Sequence, residues 1–165
     1  MKIAIIADIH DNLVNLEKCL RYCSGQKVET LLCCGDVTNF DTLEYISENF
    51  PGQIYLVQGN MEIYEEKDVL KFSNINFLGR VGRIVLDKKS IGLCHEPFLK
   101  NSALKLGACD FIFYGHTHKP WIEENEGYKF INPGTLGGVF QRATFALWDT
   151  DNAEPELKVL DLIKG

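Results

Sequence analysis

The chain has 165 residues, 45% of them hydrophobic and 24% charged, which suits a single domain spanning 1–165 and falls short of two. Its 17 basic and 23 acidic side chains sum to −6, a sign that repels polyanions and argues against stable nucleic-acid binding. The apolar opening gives way to Asp8 before a signal-peptide core could form, and no run approaches the roughly 20 apolar residues that cross a bilayer. The expectation is a cytoplasmic protein with no membrane contact, its self-association left open.

In chain order, Lys2–Ala7 is a continuous β-branched run, as in a strand covered on both faces. Asn12–Cys23 follows with Leu13, Leu16, Leu20 and Cys23 at helical spacing, opened by Asp11-Asn12 and closed by Ser24-Gly25. Glu29–Cys34 predicts a second buried strand and Asp41–Phe50 a second helix, stopped by Pro51-Gly52. Gln53–Gln58 completes βαβαβ, hence parallel strands with right-handed crossovers.

Beyond it, Asn76–Leu78, Arg83–Asp87 and Ser90–Cys94 predict short strands, 98–107 a helix, and Asp110–Tyr114 another strand. Trp121–Glu124 and Tyr128–Ile131 flank a hairpin turn at Asn125-Glu126-Gly127. Ala143–Asp149 and Glu156–Leu162 read as a final antiparallel pair. A parallel first half and an antiparallel-rich second half predict two facing sheets with helices outside. The six cysteines, at 19, 23, 33, 34, 94 and 109, show no CxxC or cluster spacing and read as free thiols in a reducing compartment. Cys19 and Cys23 are expected on the buried face of the first helix together with Leu13, Leu16 and Leu20.

The polar residues of chemical interest all follow predicted buried strands: Asp8 and His10, Gly35-Asp36, Gly59-Asn60, His95, and Gly115-His116-Thr117-His118. Ligands of open α/β sheets bind beyond the carboxyl ends of strands. The chain has four histidines, and every one falls in these clusters. Taken singly, each motif has an ordinary reading as a turn, a cap or a hydrogen-bonded core histidine. Together they form the set Asp8, His10, Asp36, Asn60, His95, His116 and His118, whose mixed imidazole and carboxylate donors suit Mn, Ni, Fe or Zn. Seven ligands exceed what one ion uses while keeping an open position. Two ions sharing a carboxylate, typically ~3.5–4 Å apart, fit the count and favour an anionic substrate such as a phosphate ester.

In this order the motifs resemble those of the calcineurin-like metallophosphoesterases. The short chain, the MKIAIIADIHDN start and Ile131-Asn132-Pro133-Gly134 resemble the small single-domain prokaryotic phosphodiesterase branch. The resemblance covers residues 2 to about 149 and implies a four-layer α-β-β-α sandwich of two mixed sheets flanked by helices. It also implies two divalent ions, manganese foremost. One would be held by Asp8, His10, Asp36 and His118, the other by Asp36, Asn60, His95 and His116. Asp36 would bridge, with a hydroxide between the ions as nucleophile and Asn60 beside the phosphoryl oxygens.

Two positions depart from the family pattern. Many members carry a histidine after Gly-Asn that touches the phosphate and is thought to protonate the leaving group; here Met61 stands in its place, followed by Glu62. A thioether cannot donate a proton, so activated esters are the expected substrates. Glu96-Pro97 replaces a Gly-His pair. The expectation is a phosphodiesterase acting on small phosphate esters by in-line attack. The alternative is a protein-binding scaffold on the same fold, as in the metallophosphoesterase-like subunit of the retromer coat, with Trp121, Phe140 and Trp148 as surface anchors rather than the core aromatics they otherwise resemble.

Overall fold

The computed structural model describes residues 1–163. The initial βαβαβ forms as expected. Strands β1 (Lys2–Ile6), β2 (Thr30–Cys33) and β3 (Gln53–Leu56) pair in parallel, connected by α1 (Leu13–Gly25) and α2 (Phe40–Asn49). The Asn12 side chain caps α1 by accepting from Asn15 N. Helix α2 ends at Asn49 because Pro51 forces Phe50 into extended backbone (φ −119°, ψ 108°).

The remaining strands are β4 (Ile75–Phe77), β5 (Val81–Leu86), β6 (Lys89–Cys94), β7 (Phe111–Phe113), β8 (Trp121–Asn125), β9 (Tyr128–Asn132), β10 (Thr144–Asp149) and β11 (Glu156–Val159). They do not divide between the sheets by halves of the chain. One sheet has the order β11-β10-β1-β2-β3-β4 and the other β5-β6-β7-β9-β8. Strand β10 returns to lie antiparallel to β1, while the second sheet contains the parallel run β6-β7-β9. Both sheets are mixed, as the family resemblance implied; strand propensity carries no information about partners, so the parallel first half and antiparallel-rich second half of the chain do not map one to a sheet. Both tight hairpins turn on two left-handed residues, Asp87-Lys88 and Glu126-Gly127, the geometry that matches strand twist.

Alternation along each strand builds three apolar layers. Ile3, Ile5 and Ala7 of the first strand region, Leu32 and Cys34, Phe111 and Phe113, and Trp148 meet between the sheets. Their neighbours Ala4, Ile6, Leu31 and Cys33 face the other way, onto Leu16, Cys19, Leu20, Leu43 and Ile46 of the helices. On the far side, Ile112, Cys94 and Phe130 pack against Ala103 of α4 (Lys100–Lys105). The result is the four-layer α-β-β-α sandwich. All six cysteines are buried, unpaired thiols inside these layers.

Several local expectations need correction. A short helix α3 (Glu66–Val69) stands where none was predicted, closed by a capping box between Glu65 and Asp68. The 98–107 helix is a 3₁₀ turn (Pro97–Leu99) running into α4. The last strand stops at Val159 and becomes a 3₁₀ turn. Leu13 is 42% exposed, because it is the first residue of α1 and precedes the part of the helix covered by the sheet. Trp148 is buried core, but Trp121 and Phe140 are exposed: the first lies on an edge strand, the second on a loop.

Candidate metal centre

The five strand ends that carry the polar motifs converge on one rim. Asp8 N donates to Gly35 O (3.0 Å), and Gly115 N to His95 O (3.0 Å), stitching the loops after β1 and β2, and after β7 and β6. Thr135 Oγ1 donates to the Asp8 carbonyl (2.9 Å) and Gly137 N to the same oxygen (2.9 Å), so the segment after β9 closes the third side.

All seven predicted residues come together there. His118 Nε2 lies 3.3 Å from Asp8 Oδ1 and 3.0 Å from His10 Nε2. His10 Nε2 is 3.9 Å from Asp8 and 3.8 Å from Asp36 Oδ2. His95 Nε2 is 3.3 Å from Asp36 Oδ2, 4.0 Å from Asp8 Oδ1 and 3.0 Å from Asn60 Oδ1. His116 Nδ1 contacts the same Asn60 oxygen at 2.9 Å. Asp8, Asp36 and His95 are buried, His10 and His118 half-buried, and Asn60 and His116 exposed. The centre thus has an anionic floor and an accessible mouth. Both carboxylates face imidazoles on either side, so Asp8 is as central as Asp36.

Backbone strain concentrates here. Five of the seven residues, Asp8, His10, Asp36, His116 and His118, have φ between 48° and 70°, a region costly for residues with a Cβ. Such strain persists only where surrounding structure over-determines it, and it clusters at functional sites. Gly59 has a different reason to be glycine: a Cβ there would meet Asp36 Oδ1 at 2.1 Å and Asp36 N at 2.3 Å. The loop after β3 must lie directly on the Asp36 carboxylate, and only a hydrogen leaves room.

The donor set fits divalent cations. His95 Nδ1 lies 2.7 Å from Cys34 O, and His118 Nδ1 lies 3.1 Å from Val139 O. A carbonyl can only accept, so these nitrogens carry a proton and each ring turns its Nε2 inward. These Nε2 atoms sit 3.3 Å from carboxylate oxygens of Asp36 and Asp8, which sets nitrogen and oxygen ligand atoms side by side in one pocket. The clusters Asp8–His10–His118 and Asp8–Asp36–His95 each bring three ligand atoms within 4.8 Å of one another.

The ionisation of the floor follows from burial. Desolvation pushes the Asp8 carboxyl up to about 7, against the pull of His95 and His118. Burial also opposes charge at Asp36, yet the hydrogen bond and charge of His95 hold it below the usual range. His95 responds in kind: burial disfavours its charged form, but Asp36 and Asp8 raise its pKa. His10 is lowered, by burial first and then by its neighbouring imidazoles.

Supporting residues escaped the sequence reading. The Glu62 carboxylate accepts from three backbone N–H groups, Val37 (3.2 Å), Thr38 (2.7 Å) and Gly59 (3.2 Å), binding the loops after β2 and β3 to each other. Asp11 accepts from Asn39 N (2.9 Å) and Thr42 Oγ1 (2.6 Å) at the start of α2. Buried Asn132 donates to Gly115 O (2.8 Å) and Thr117 Oγ1 (3.0 Å), holding the loop that carries His116 and His118. For Glu62 and Asn132 the available signal was an acidic or amide residue close to a ligand motif, whereas Asp11 had been read as a helix cap. None of the three other acids near the motifs is a free donor at the mouth. Glu62 is committed to amides, Tyr64 is buried, and Glu96 is buried against Arg80 Nη2 (2.6 Å).

A two-sheet sandwich whose strand ends present buried carboxylates and inward-facing imidazoles defines a candidate metal centre. The chain belongs to the calcineurin-like phosphoesterase superfamily, whose domain model matches residues 1–153. It is 32% identical over 167 residues to the phosphodiesterase MJ0936 of Methanocaldococcus jannaschii, covering 98% of this chain and 100% of that one. A solved archaeal phosphodiesterase superposes with a TM-score of 0.86 at 26% identity, over 96% of this chain and 99% of the other. The fold is also that of Vps29 from Entamoeba histolytica, solved with zinc, at a TM-score of 0.70 and 20% identity over 95% and 90% of the two chains. Among the described residues no helix is long and apolar enough to cross a membrane.

Proposed function

We propose that this chain is a metal-dependent phosphodiesterase acting on small, activated phosphate diesters. The observation that carries the reading is the buried pair Asp8 and Asp36, each facing imidazoles on two sides. Asp8, His10, Asp36 and His118 would hold one divalent ion; Asp36, Asn60, His95 and His116 a second, with manganese foremost and Ni, Fe or Zn as alternatives. Bound ions would supply Lewis-acid polarisation of the phosphoryl oxygens and a nucleophile at neutral pH.

The protein's own contribution is positioning. Cys34 O and Val139 O orient two imidazoles, Glu62 fixes the loops bearing Asp36 and Asn60, and exposed Asn60 stands at the mouth with its amide available to a phosphoryl oxygen. Met61 supplies no proton, and Glu62, Tyr64 and Glu96 are engaged or buried, which supports a preference for good leaving groups. The name of the archaeal relative, a phosphodiesterase, agrees with this reading. The retention of all seven presumed ligands favours an enzyme over a Vps29-like scaffold. The −6 charge supports a small-molecule rather than nucleic-acid partner.

The test is hydrolysis of bis(p-nitrophenyl) phosphate with added Mn or Ni, beside Asp36→Ala. We expect metal-dependent turnover reduced on the order of 10³-fold in the variant, the scale on which loss of a central charge stabiliser acts. Turnover no greater than that of the variant ends this reading.

A further inference from the structure

We infer that Phe140 is a specificity-determining residue, a platform on which a planar aromatic or heteroaromatic group of the substrate stacks. This rests on the phosphodiesterase reading and assigns the organic half of the ester. Phe140 is 93% exposed, far more than a core aromatic, and its ring lies 6.3 Å from that of His118 at an interplanar angle of 22°. It therefore stands beside the presumed metal ligands with its outer face in water.

Its placement is enforced. Gly137 N is bonded to Asp8 O, Gly138 N to Thr135 Oγ1 (3.2 Å), and Val139 O faces His118 Nδ1. The chain is thus pinned to the centre at each residue before Phe140. Phe140 itself has φ +61°, a left-handed conformation in which a bulky side chain is an outlier and glycine is the default. A phenyl group kept in water on strained backbone, beside a polar centre, contributes nothing to the core. It gains only when something apolar covers it.

The segment after Asn60 agrees. Met61, whose N donates to Asp36 Oδ1 (2.9 Å), is 51% exposed, and Ile63 is exposed as well. Exposed apolar side chains thus stand both beside His118, at Phe140, and next to Asp36, at Met61. That placement suits a diester whose phosphate meets the floor and whose flat organic group lies on the phenyl ring. Aryl esters and nucleotidyl esters share that chemistry, because every base and aryl ring has a π-face.

The experiment compares three diesters with one leaving group: p-nitrophenyl methyl phosphate, p-nitrophenyl phenyl phosphate and thymidine 5′-(p-nitrophenyl) phosphate. Phe140→Ala should lower the preference for the two planar substrates over the methyl ester about tenfold in kcat/KM, with the loss in KM, in keeping with base–aromatic stacking. Phe140→Trp should restore it. Loss with only one planar substrate identifies the phenyl or the nucleobase as the preferred group. In parallel, the added indole of Phe140→Trp should be quenched by thymidine monophosphate and not by methyl phosphate, beyond the wild-type response of Trp121 and Trp148. An equal rise in KM for all three esters places their shared nitrophenyl ring on Phe140; unchanged KM for every ester, together with no selective quenching, overturns the inference. Should the wild type hydrolyse none of the esters, the phosphodiesterase reading fails and the quenching alone decides the role of Phe140.

Discussion

The Nδ1 of His95 lies 2.7 Å from the carbonyl oxygen of Cys34, two residues before Asp36 in the neighbouring sheet. That contact determines which nitrogen of His95 faces Asp36, and it connects the strand end of one sheet to that of the other. The Gly35 backbone next to it must be bare: a Cβ would stand 2.8 Å from the same Nδ1. The orientation of an inner imidazole therefore depends on main chain contributed by a different sheet, and geometry at this rim is a property of how the two sheets pack.

The Gly59 position gives the sharpest test of that packing. Gly59→Ala places a methyl carbon on Asp36 Oδ1, so the loop or the carboxylate must shift by an ångström or more. Displacements of that size cost on the order of 10²-fold in rate. We expect kcat/KM to fall by at least that factor and metal affinity to weaken, with circular dichroism unchanged. Near-wild-type turnover would show that the loop after β3 is not in contact with the reacting centre.

Glu62 separates structure from chemistry. Glu62→Ala leaves the N–H groups of Val37, Thr38 and Gly59 without their acceptor, at about 1–3 kcal/mol for a stranded group shielded from water. The midpoint of thermal unfolding should fall by several degrees, at roughly 2–4 °C per kcal/mol for a chain of this size. Glu62→Gln keeps one oxygen and sets its NH₂ against a backbone N–H, so it should fall between the two. A role as general acid predicts instead an altered pH–rate profile at unchanged stability.

Metal loading should depend on pH. Burial raises Asp8 to about 7, above the unfolded value near ~3.9. Between those two values the folded metal-free chain retains a proton that the unfolded chain has released. The stabilisation from this group is therefore full at low pH and is lost as pH rises through about 7. His95, with its raised pKa, acts in the same direction. A bound cation must expel these protons, so affinity should rise toward pH 7 and level off above it. Thermal melts from pH 5 to 8 should show a Mn-induced upshift that grows toward pH 7 and then levels off, and a constant upshift contradicts the assignment of Asp8.

Replacing Met61 by histidine should add what the mouth lacks. Met61 is half-exposed, with its backbone already bonded to Asp36, so an imidazole fits without rearranging the floor. General acid catalysis typically contributes ~10²–10⁴-fold, and an unoptimised donor should recover on the order of tenfold for diesters with alkoxide leaving groups. Nitrophenyl esters need no proton and should change little. The measurement is the dependence of log kcat/KM on leaving-group pKa, which becomes shallower in Met61→His.

The βαβαβ opening, the strand ends and the seven polar residues that converge on the rim were all legible in order along the chain. They depend on local rules: β-branched runs bury, helical spacing and caps mark α1 and α2, and polar residues directly after a buried strand lie at the sheet's rim. Pairing was not legible, because an apolar strand such as β10 carries no mark that its partner is β1, where Ile3 faces Trp148 from the other end of the chain. Nor was the division of labour among acids. Glu62, Tyr64 and Glu96 are alike in sequence as neighbours of ligands, and only their tertiary surroundings make one a clamp, one a buried phenol and one an ion-pair partner. Nothing local decides between core and surface for Phe140; what places it in water is a left-handed backbone held by contacts to Asp8, Thr135 and His118. Local patterning, then, determined which side chains reach the rim. The packing of two sheets decided which atoms face one another there, since lone-pair direction and burial depend on main chain from distant parts of the sequence.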